Sequence, residues 1–193
     1  MNSETPKNAA TLHPDSDPSG IAVDVSDTQS HLAVDPAALA SLVRETLHAE
    51  GVAQATISLA IVDDATIRTV NERHLNHDWP TDVITFCLSD PGDATLCGEL
   101  IISAEMAVAT AKQAKVAAWD ELALYVVHGL LHLCGYDDSA PADCDAMRRR
   151  EGEILARLGL LNTFSAVAAS EAGLVEAAAS ARSGARERAR WTA

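Results

Sequence analysis

The chain has 193 residues, a formal net charge of −14 at pH 7 and an aromatic content of only 4%. This length suits one domain with tails, and no apolar run approaches the roughly 20 residues that span a membrane. Residues 19–162 carry 9 Lys or Arg and 22 Asp or Glu. This balance argues against non-specific electrostatic binding to nucleic acid. Two groups of basic residues could form a local positive patch: Lys112 with Lys115, and Arg148–Arg150 with Arg157. The simpler interpretation of each group is a helix face exposed to solvent.

The two ends of the chain differ from its middle. Residues 1–20 are rich in Ser, Thr, Pro, Asn and Asp and lack the apolar stretch of a secretory signal, so they are predicted to be disordered. Residues 163–193 are rich in Ala and Arg but hold few large apolar side chains, which predicts a frayed helix or a disordered tail. The folded domain is therefore expected over residues 21–162. Without an export signal, we expect a cytoplasmic protein whose four cysteines are reduced thiols.

Four elements are predicted in the first half of this domain. Alternating apolar and polar residues from Ile21 and a β-branched run from Thr56 are typical of strands. Asp35–Pro36 is typical of a helix start, and either Asp63 or Asp64 would cap a second helix. The predicted elements are strand 21–25, helix 36–48, strand 56–62 and helix 65–74.

The second half adds two strands and three helices. The strands, at 82–88 and 98–103, lie on either side of a turn-forming segment and are predicted to form a hairpin. The helices are predicted at 104–117, 120–134 and 143–158, and the middle one is apolar nearly all round, as a buried helix is. Strands and helices do not alternate regularly. The predicted class is therefore α+β, with a roughly four-stranded mixed sheet packed with about five helices.

The central buried helix carries a pair of histidines. His128 and His132 are four residues apart, about one helical turn, so both imidazoles leave the same face. Gly135 then ends the helix as a C′ glycine does, and the turn brings Asp137 and Asp138 towards that face. One histidine on an apolar helix is usually a buried structural residue. Two histidines with a following carboxylate instead favour a three-ligand metal site with one position open for catalysis.

Three segments resemble the YbeY family of metal-dependent endoribonucleases. The family signature, His-Gly-x-Leu-His-Leu-x-Gly-Tyr-Asp-His, agrees with His128–Asp138 at ten of eleven positions, counting the two free ones. Pro80–Phe86 resembles the family's Thr-Asp-Val-Leu-Ser-Phe strand, and Gly98–Ser103 resembles its Gly-Asp-Ile strand. The likeness extends over roughly residues 21–161.

This resemblance implies a single-strand-specific endoribonuclease with one zinc ion per chain, bound by His128, His132 and the residue at position 138. It also implies a role in maturing the 3′ ends of ribosomal RNA and in ribosome quality control. The partners would be ribosomal RNA or a ribosomal subunit, with ribosome-associated proteins and without a membrane. The expected reaction is phosphodiester hydrolysis by a metal-bound water, and Thr81 and Asp82 are the candidates for lining the cleft.

Two positions depart from the family pattern. The family's third ligand is a histidine, whereas this chain has Asp138; Asp137 matches a family aspartate that is not a ligand. A carboxylate lowers the charge of the site and would let Mn²⁺ or Fe²⁺ compete with Zn²⁺. The family also tends to carry an arginine ahead of the Thr-Asp-Val block, where this chain has Leu75.

Two other functions stay open. The frame His-x-x-x-His-x-x-Gly-x-x-Asp is that of the metzincin metalloproteases. Those enzymes carry their general-base glutamate directly after the first histidine, where this chain has Gly129. The chain could instead be a catalytically weak ribosome-associated factor whose metal is structural.

Overall fold

The structure, a computed structural model, describes residues 20–161, so the predictions for the two terminal tails lie outside the described residues. Its strands are β1 (Ile21–Asp27), β2 (Ala55–Val62), β3 (Val83–Cys87) and β4 (Leu96–Ser103). They form one mixed sheet in the order β1-β2-β4-β3. Both β1 and β4 run parallel to β2, and β3 is antiparallel to β4, which confirms the predicted hairpin.

Within residues 20–161 five helices accompany the sheet, and capping residues show why the first two begin where they do. Asp35 caps the first helix by accepting a hydrogen bond from the Ala37 amide, and Asp63 caps the second by accepting one from the Thr66 amide. Asp63, rather than Asp64, is therefore the cap. The helices are α1 (Pro36–Ala49), α2 (Asp64–Leu75), α3 (Ala104–Ala114), α4 (Ala118–Leu133) and α5 (Pro141–Arg157).

The sheet buries both of its faces. Ile57, Leu59 and Ile61 alternate along β2 and face the main core, which α1 and α4 share. Val62 belongs to the other set of alternating positions, and it packs with Ile67 of α2 in a smaller cluster on the opposite face of the sheet. The α+β prediction, with a four-stranded mixed sheet and five helices, is confirmed.

Helix α4 lies at the centre of the fold. It packs against β3 and β4 of the sheet and against α1, α3 and α5. Its residues from Glu121 to Val127 are all buried, as are Gly129, Leu130 and Leu131. A helix packed in this way is rigid, so side chains at its half-exposed positions are held in fixed places.

One predicted helix is shorter than expected. The segment predicted as helical over 104–117 ends at Ala114, because Lys115 adopts a left-handed conformation with φ +59°. Helix α4 then begins at Ala118, two residues earlier than predicted, and α5 begins at Pro141 rather than Asp143. Across residues 20–161, no helix combines the length and the apolar character needed to cross a membrane.

Candidate metal centre

The end of α4 and the turn after it bring three potential metal ligands together. The Nε2 atoms of His128 and His132 lie 3.1 Å apart. The Asp138 carboxylate places Oδ2 3.8 Å from the first of these nitrogens and Oδ1 3.9 Å from the second. One ligand atom from each residue lies within 4.8 Å of the other two, and no other such cluster of His, Cys, Asp or Glu occurs among residues 20–161.

A glycine turn returns the chain to this face. Gly135 has φ +94°, a left-handed value that a side chain would strain. Its amide donates to the His132 carbonyl, and the Tyr136 amide donates to the Leu131 carbonyl. These two bonds are those of a Schellman motif, which closes the helix and reverses the chain. Asp138 reaches the histidines for this reason.

The neighbouring aspartate is engaged elsewhere. Oδ1 of Asp137 accepts hydrogen bonds from the amides of Asp138 and Ser139, and Oδ2 accepts one from the Ser139 hydroxyl at 2.6 Å. These bonds hold the pKa of Asp137 below its usual value, with the Ser139 hydroxyl as the largest cause. Asp138, with 46% of its side chain exposed, has room to adjust towards the histidines.

Hydrogen bonds on the far side of each imidazole determine which nitrogen faces the cluster. Nδ1 of His128 lies 2.7 Å from Oε1 of Glu151, and Nδ1 of His132 lies 3.1 Å from the Tyr136 carbonyl oxygen. Both partners are acceptors, so each Nδ1 carries the hydrogen and each neutral ring presents a bare Nε2. Two bare nitrogens 3.1 Å apart need a cation between them, either a proton or a metal ion.

These residues fit a divalent ion. Bonds of about 2.0–2.1 Å to a tetrahedral ion would place two histidine nitrogens roughly 3.3 Å apart, close to the observed separation. The Asp138 oxygens lie about half an ångström farther from the histidine nitrogens than two ligand atoms of one tetrahedral ion would. Metal-binding histidines usually donate their other ring hydrogen to a carboxylate or carbonyl, as both rings do here. The identification of these three residues as ligands remains a prediction.

Glu151 was not foreseen from the sequence. It lies on α5 with only 2% of its surface exposed, and its Oε2 atom is buried without a hydrogen-bond partner. Burial lowers the pKa of His128, but the hydrogen bond and the negative charge of Glu151 outweigh burial and raise it overall, helped by Asp82 and Asp138. A signal was present in the sequence, because Glu151 interrupts the apolar face that Met147, Ile154 and Leu155 define on α5.

The histidines open onto a cleft of about 490 Å³ along β3. Both residues predicted to line it, Thr81 and Asp82, do so. Oδ1 of Asp82 accepts hydrogen bonds from the Thr81 hydroxyl at 2.9 Å and from the Val83 amide at 2.8 Å. Leu75, at the register of the family arginine, also lines the cleft, and none of the described residues that line it is Lys or Arg.

The basic groups noted in the sequence do not supply a cation to this cleft. Arg150 was interpreted as part of a solvated face, and this is wrong. It donates to Glu50 at 2.7 Å, to the Ala49 carbonyl at 2.8 Å and to Glu153 at 2.7 Å. Arg150 therefore joins α5 to the carboxyl end of α1.

Position 129 cannot supply a metalloprotease base. Gly129 is buried, and a Cβ atom there would lie 2.6 Å from Cδ2 of Leu100 and 3.0 Å from Oγ1 of Thr85. The position faces the sheet rather than open space, so a glutamate side chain would have to enter the core. The metzincin arrangement is incompatible with this packing.

Comparisons with known proteins give the chain's relatives. The family model described as Endoribonuclease YbeY matches residues 24–159. An Endoribonuclease YbeY of Anaeromyxobacter sp. (strain Fw109-5) is 43% identical over 116 residues. This match covers 60% of this chain and 60% of the relative. One from Carboxydothermus hydrogenoformans is 36% identical over 138 residues, covering 72% of this chain and 92% of the relative. A solution structure from Thermotoga maritima matches with a TM-score of 0.49 and 20% identity, over 72% of this chain and 91% of that one.

The family match extends from β1 to the end of α5 and includes both histidines and Asp138. It therefore covers well over half of the chain, and the protein belongs to the YbeY endoribonuclease family.

Proposed function

We propose that the protein is a metal-dependent endoribonuclease specific for single-stranded RNA. The observation that carries the proposal is the convergence of two histidine nitrogens and one carboxylate, with both histidines lining an open cleft. Membership of a family named for endoribonuclease activity supports it. Its substrate would be ribosomal RNA during 3′-end maturation and ribosome quality control, in the cytoplasm. A ribosomal subunit and ribosome-associated proteins would be its partners.

His128, His132 and Asp138 would hold one divalent ion. When bound, such an ion would polarise a phosphoryl oxygen of the substrate and lower the pKa of a water molecule. Zinc suits the two imidazoles, and the carboxylate oxygen makes Mn²⁺ and Fe²⁺ stronger competitors than they would be at an all-histidine site. With one ionised carboxylate among the three ligands, the site would carry a net charge of +1 instead of +2.

The protein's own groups would orient the site and shape the cleft. Glu151 and the Tyr136 carbonyl hold the two rings with Nε2 facing inward. Asp82 fixes the Thr81 hydroxyl by accepting a hydrogen bond from it, and both residues line the cleft. Because the described lining residues include no Lys or Arg, the bound ion would be the main positive charge facing a phosphate. We therefore expect weak binding of the phosphate group and modest activity.

The weaker alternative is a ribosome-associated factor with a structural metal. Asp138 in place of a histidine and Leu75 in place of an arginine are the observations that favour it. Both changes leave the ligand cluster in place but reduce the attraction for a negatively charged substrate.

One assay separates these functions. Full-length protein loaded with Zn²⁺ is incubated with end-labelled single-stranded RNA, with the same sequence as a duplex, and with casein. Parallel reactions contain a chelator. The proposal expects internal cuts in the single strand, slower cutting of the duplex, intact casein and no cutting with chelator. Casein digestion would establish a protease, and intact RNA with one bound metal per chain would favour the structural factor.

A further inference from the structure

Two stacked aromatic rings lie in the loop between α2 and β3, whose flanking residues Leu75 and Thr81 line the cleft. The connection from α2 to β3 leaves the cleft at Leu75 and returns to it at Thr81. Between them, the rings of His77 and Trp79 are stacked with centroids 4.5 Å apart and an interplanar angle of 16°. Trp79 is 57% exposed, which is unusual for a side chain with so much apolar surface.

The connection is anchored so that the rings stay in place. The Asn71 side-chain amide, on a residue only 2% exposed, donates to the Trp79 carbonyl at 2.8 Å. Arg68 donates to Asp78 at 2.7 Å, and this bond joins the loop to α2 a second time. The Asn71 bond holds the Trp79 backbone while the indole stays outside the core.

The position of the pair favours one kind of ligand. Trp79 is two residues from Thr81, so its Cα lies within about 7 Å of the cleft wall. An RNA strand whose phosphodiester occupied the cleft would carry its bases past the loop that holds His77 and Trp79. Unpaired bases stack on aromatic rings whatever their sequence, and this attraction does not require positive charge. That matters in a chain with a net charge of −14 whose described cleft lining has no Lys or Arg.

We infer that Trp79, supported by His77, forms a stacking platform for an unpaired base of the RNA strand next to the cleft. This inference rests on the proposed function and adds to it how single strands are selected. A base held in a duplex is already stacked on its neighbours and cannot present a free face to the indole. Selection for single strands would therefore arise at this platform, whereas the ion cluster would act on the phosphodiester.

The test measures binding without cleavage. Full-length protein is kept in chelator, and its dissociation constants for fluorescently labelled oligoadenylate, oligouridylate and an abasic strand of equal length are measured by anisotropy. Trp79→Leu keeps an apolar side chain but removes the aromatic face, and Trp79→Phe restores a smaller one. Leu161→Ala is the matched control, because Leu161 is exposed to the same extent as Trp79 and does not line the cleft.

We expect Trp79→Leu to weaken oligoadenylate binding by about 10-fold or more, and Trp79→Phe to recover most of it. The preference of the wild-type protein for adenine strands over abasic strands should disappear in Trp79→Leu and persist in Leu161→Ala. Equal binding by Trp79→Leu and wild type would overturn the platform.

Cleavage by the Zn²⁺-loaded wild type, measured in parallel, keeps the two proposals apart. If the wild type cuts single-stranded RNA while Trp79→Leu binds normally, the platform is wrong and the proposed function stands. If binding depends on Trp79 but no RNA is cut, the platform stands and the nuclease activity does not. A wild type that binds no RNA in chelator would overturn the platform, and the proposed function would fall with it only if the Zn²⁺-loaded protein also cuts no RNA.

Discussion

Oε1 of Glu151 lies 2.7 Å from Nδ1 of His128 and links α5 to α4, the helix that carries both histidines. The two residues are 23 positions apart in the sequence, and Glu151 is buried. It orients the imidazole and requires the hydrogen on Nδ1, which leaves Nε2 free to bind an ion.

Glu151→Gln should weaken Zn²⁺ binding by roughly 10- to 100-fold, as loss of a carboxylate behind a histidine ligand usually does. The amide can still accept the Nδ1 hydrogen, so the fold should be kept while the charge behind the ring is lost. Competition with a chromogenic chelator measures the affinity. Glu153→Gln is the control. This substitution removes the same charge from the same helix, but Glu153 contacts Arg150 and not His128. Equal zinc affinities for the two variants would show that Glu151 does not support the site.

The two aspartates after Gly135 should respond differently to substitution. Asp138→Asn should lose more metal affinity than Glu151→Gln does, because it removes the charge from an oxygen that would bind the ion directly. Asp137→Asn should keep the metal, since an amide oxygen can still accept the backbone hydrogen bonds of the turn. Metal content after dialysis measures both. The reverse ranking would mean that Asp137 is the ligand.

Asp138→His should raise the affinity for Zn²⁺ relative to Mn²⁺. A third imidazole replaces a hard oxygen donor with a nitrogen donor and makes the site more selective for zinc. Titration of metal-free protein with each ion gives the ratio of the two dissociation constants. An unchanged ratio would indicate that position 138 does not contact the ion.

Gly129→Ala should destabilise the protein, although alanine normally favours a helix by about 1 kcal/mol. The new methyl group would meet Leu100, which is fully buried and has little room to move. We expect a net fall of about 1–3 kcal/mol in the free energy of unfolding, measured by urea denaturation. In a Leu100→Ala background the same substitution should cost less, because the two side chains occupy one space. Additive losses would mean that the clash is relieved elsewhere.

The sequence was sufficient for the order of elements because their signals are local. Asp35 and Pro36 start α1, and the β-branched run from Thr56 marks β2. The break at Lys115 was missed, because a lysine in a left-handed conformation gives no sequence signal of the kind that glycine does. The ligand cluster lies within eleven consecutive residues, so its spacing and a family resemblance were enough to predict which side chains meet.

Contacts between distant segments were beyond this reasoning. Glu151 reaches His128 only because α5 folds back on α4, and the bond from Arg150 to Glu50 spans 100 residues. The platform of His77 and Trp79 likewise depends on the tertiary bonds from Asn71 and Arg68. A polar residue on an apolar helix face, as Glu151 is on α5, indicates a buried partner, but only the packing of distant segments shows which partner it is.

The metal content of the chain tests the central claim most directly. Full-length wild type, His132→Ala and His48→Ala are purified identically, with His48 chosen because it lies exposed on α1 outside the ligand cluster. Elemental analysis and single-stranded RNA cleavage are then measured on the same samples. We expect one divalent ion per chain and RNA cleavage for the wild type and His48→Ala, and loss of both for His132→Ala. Full metal content in His132→Ala, or undiminished cleavage by metal-free wild type, would contradict the account.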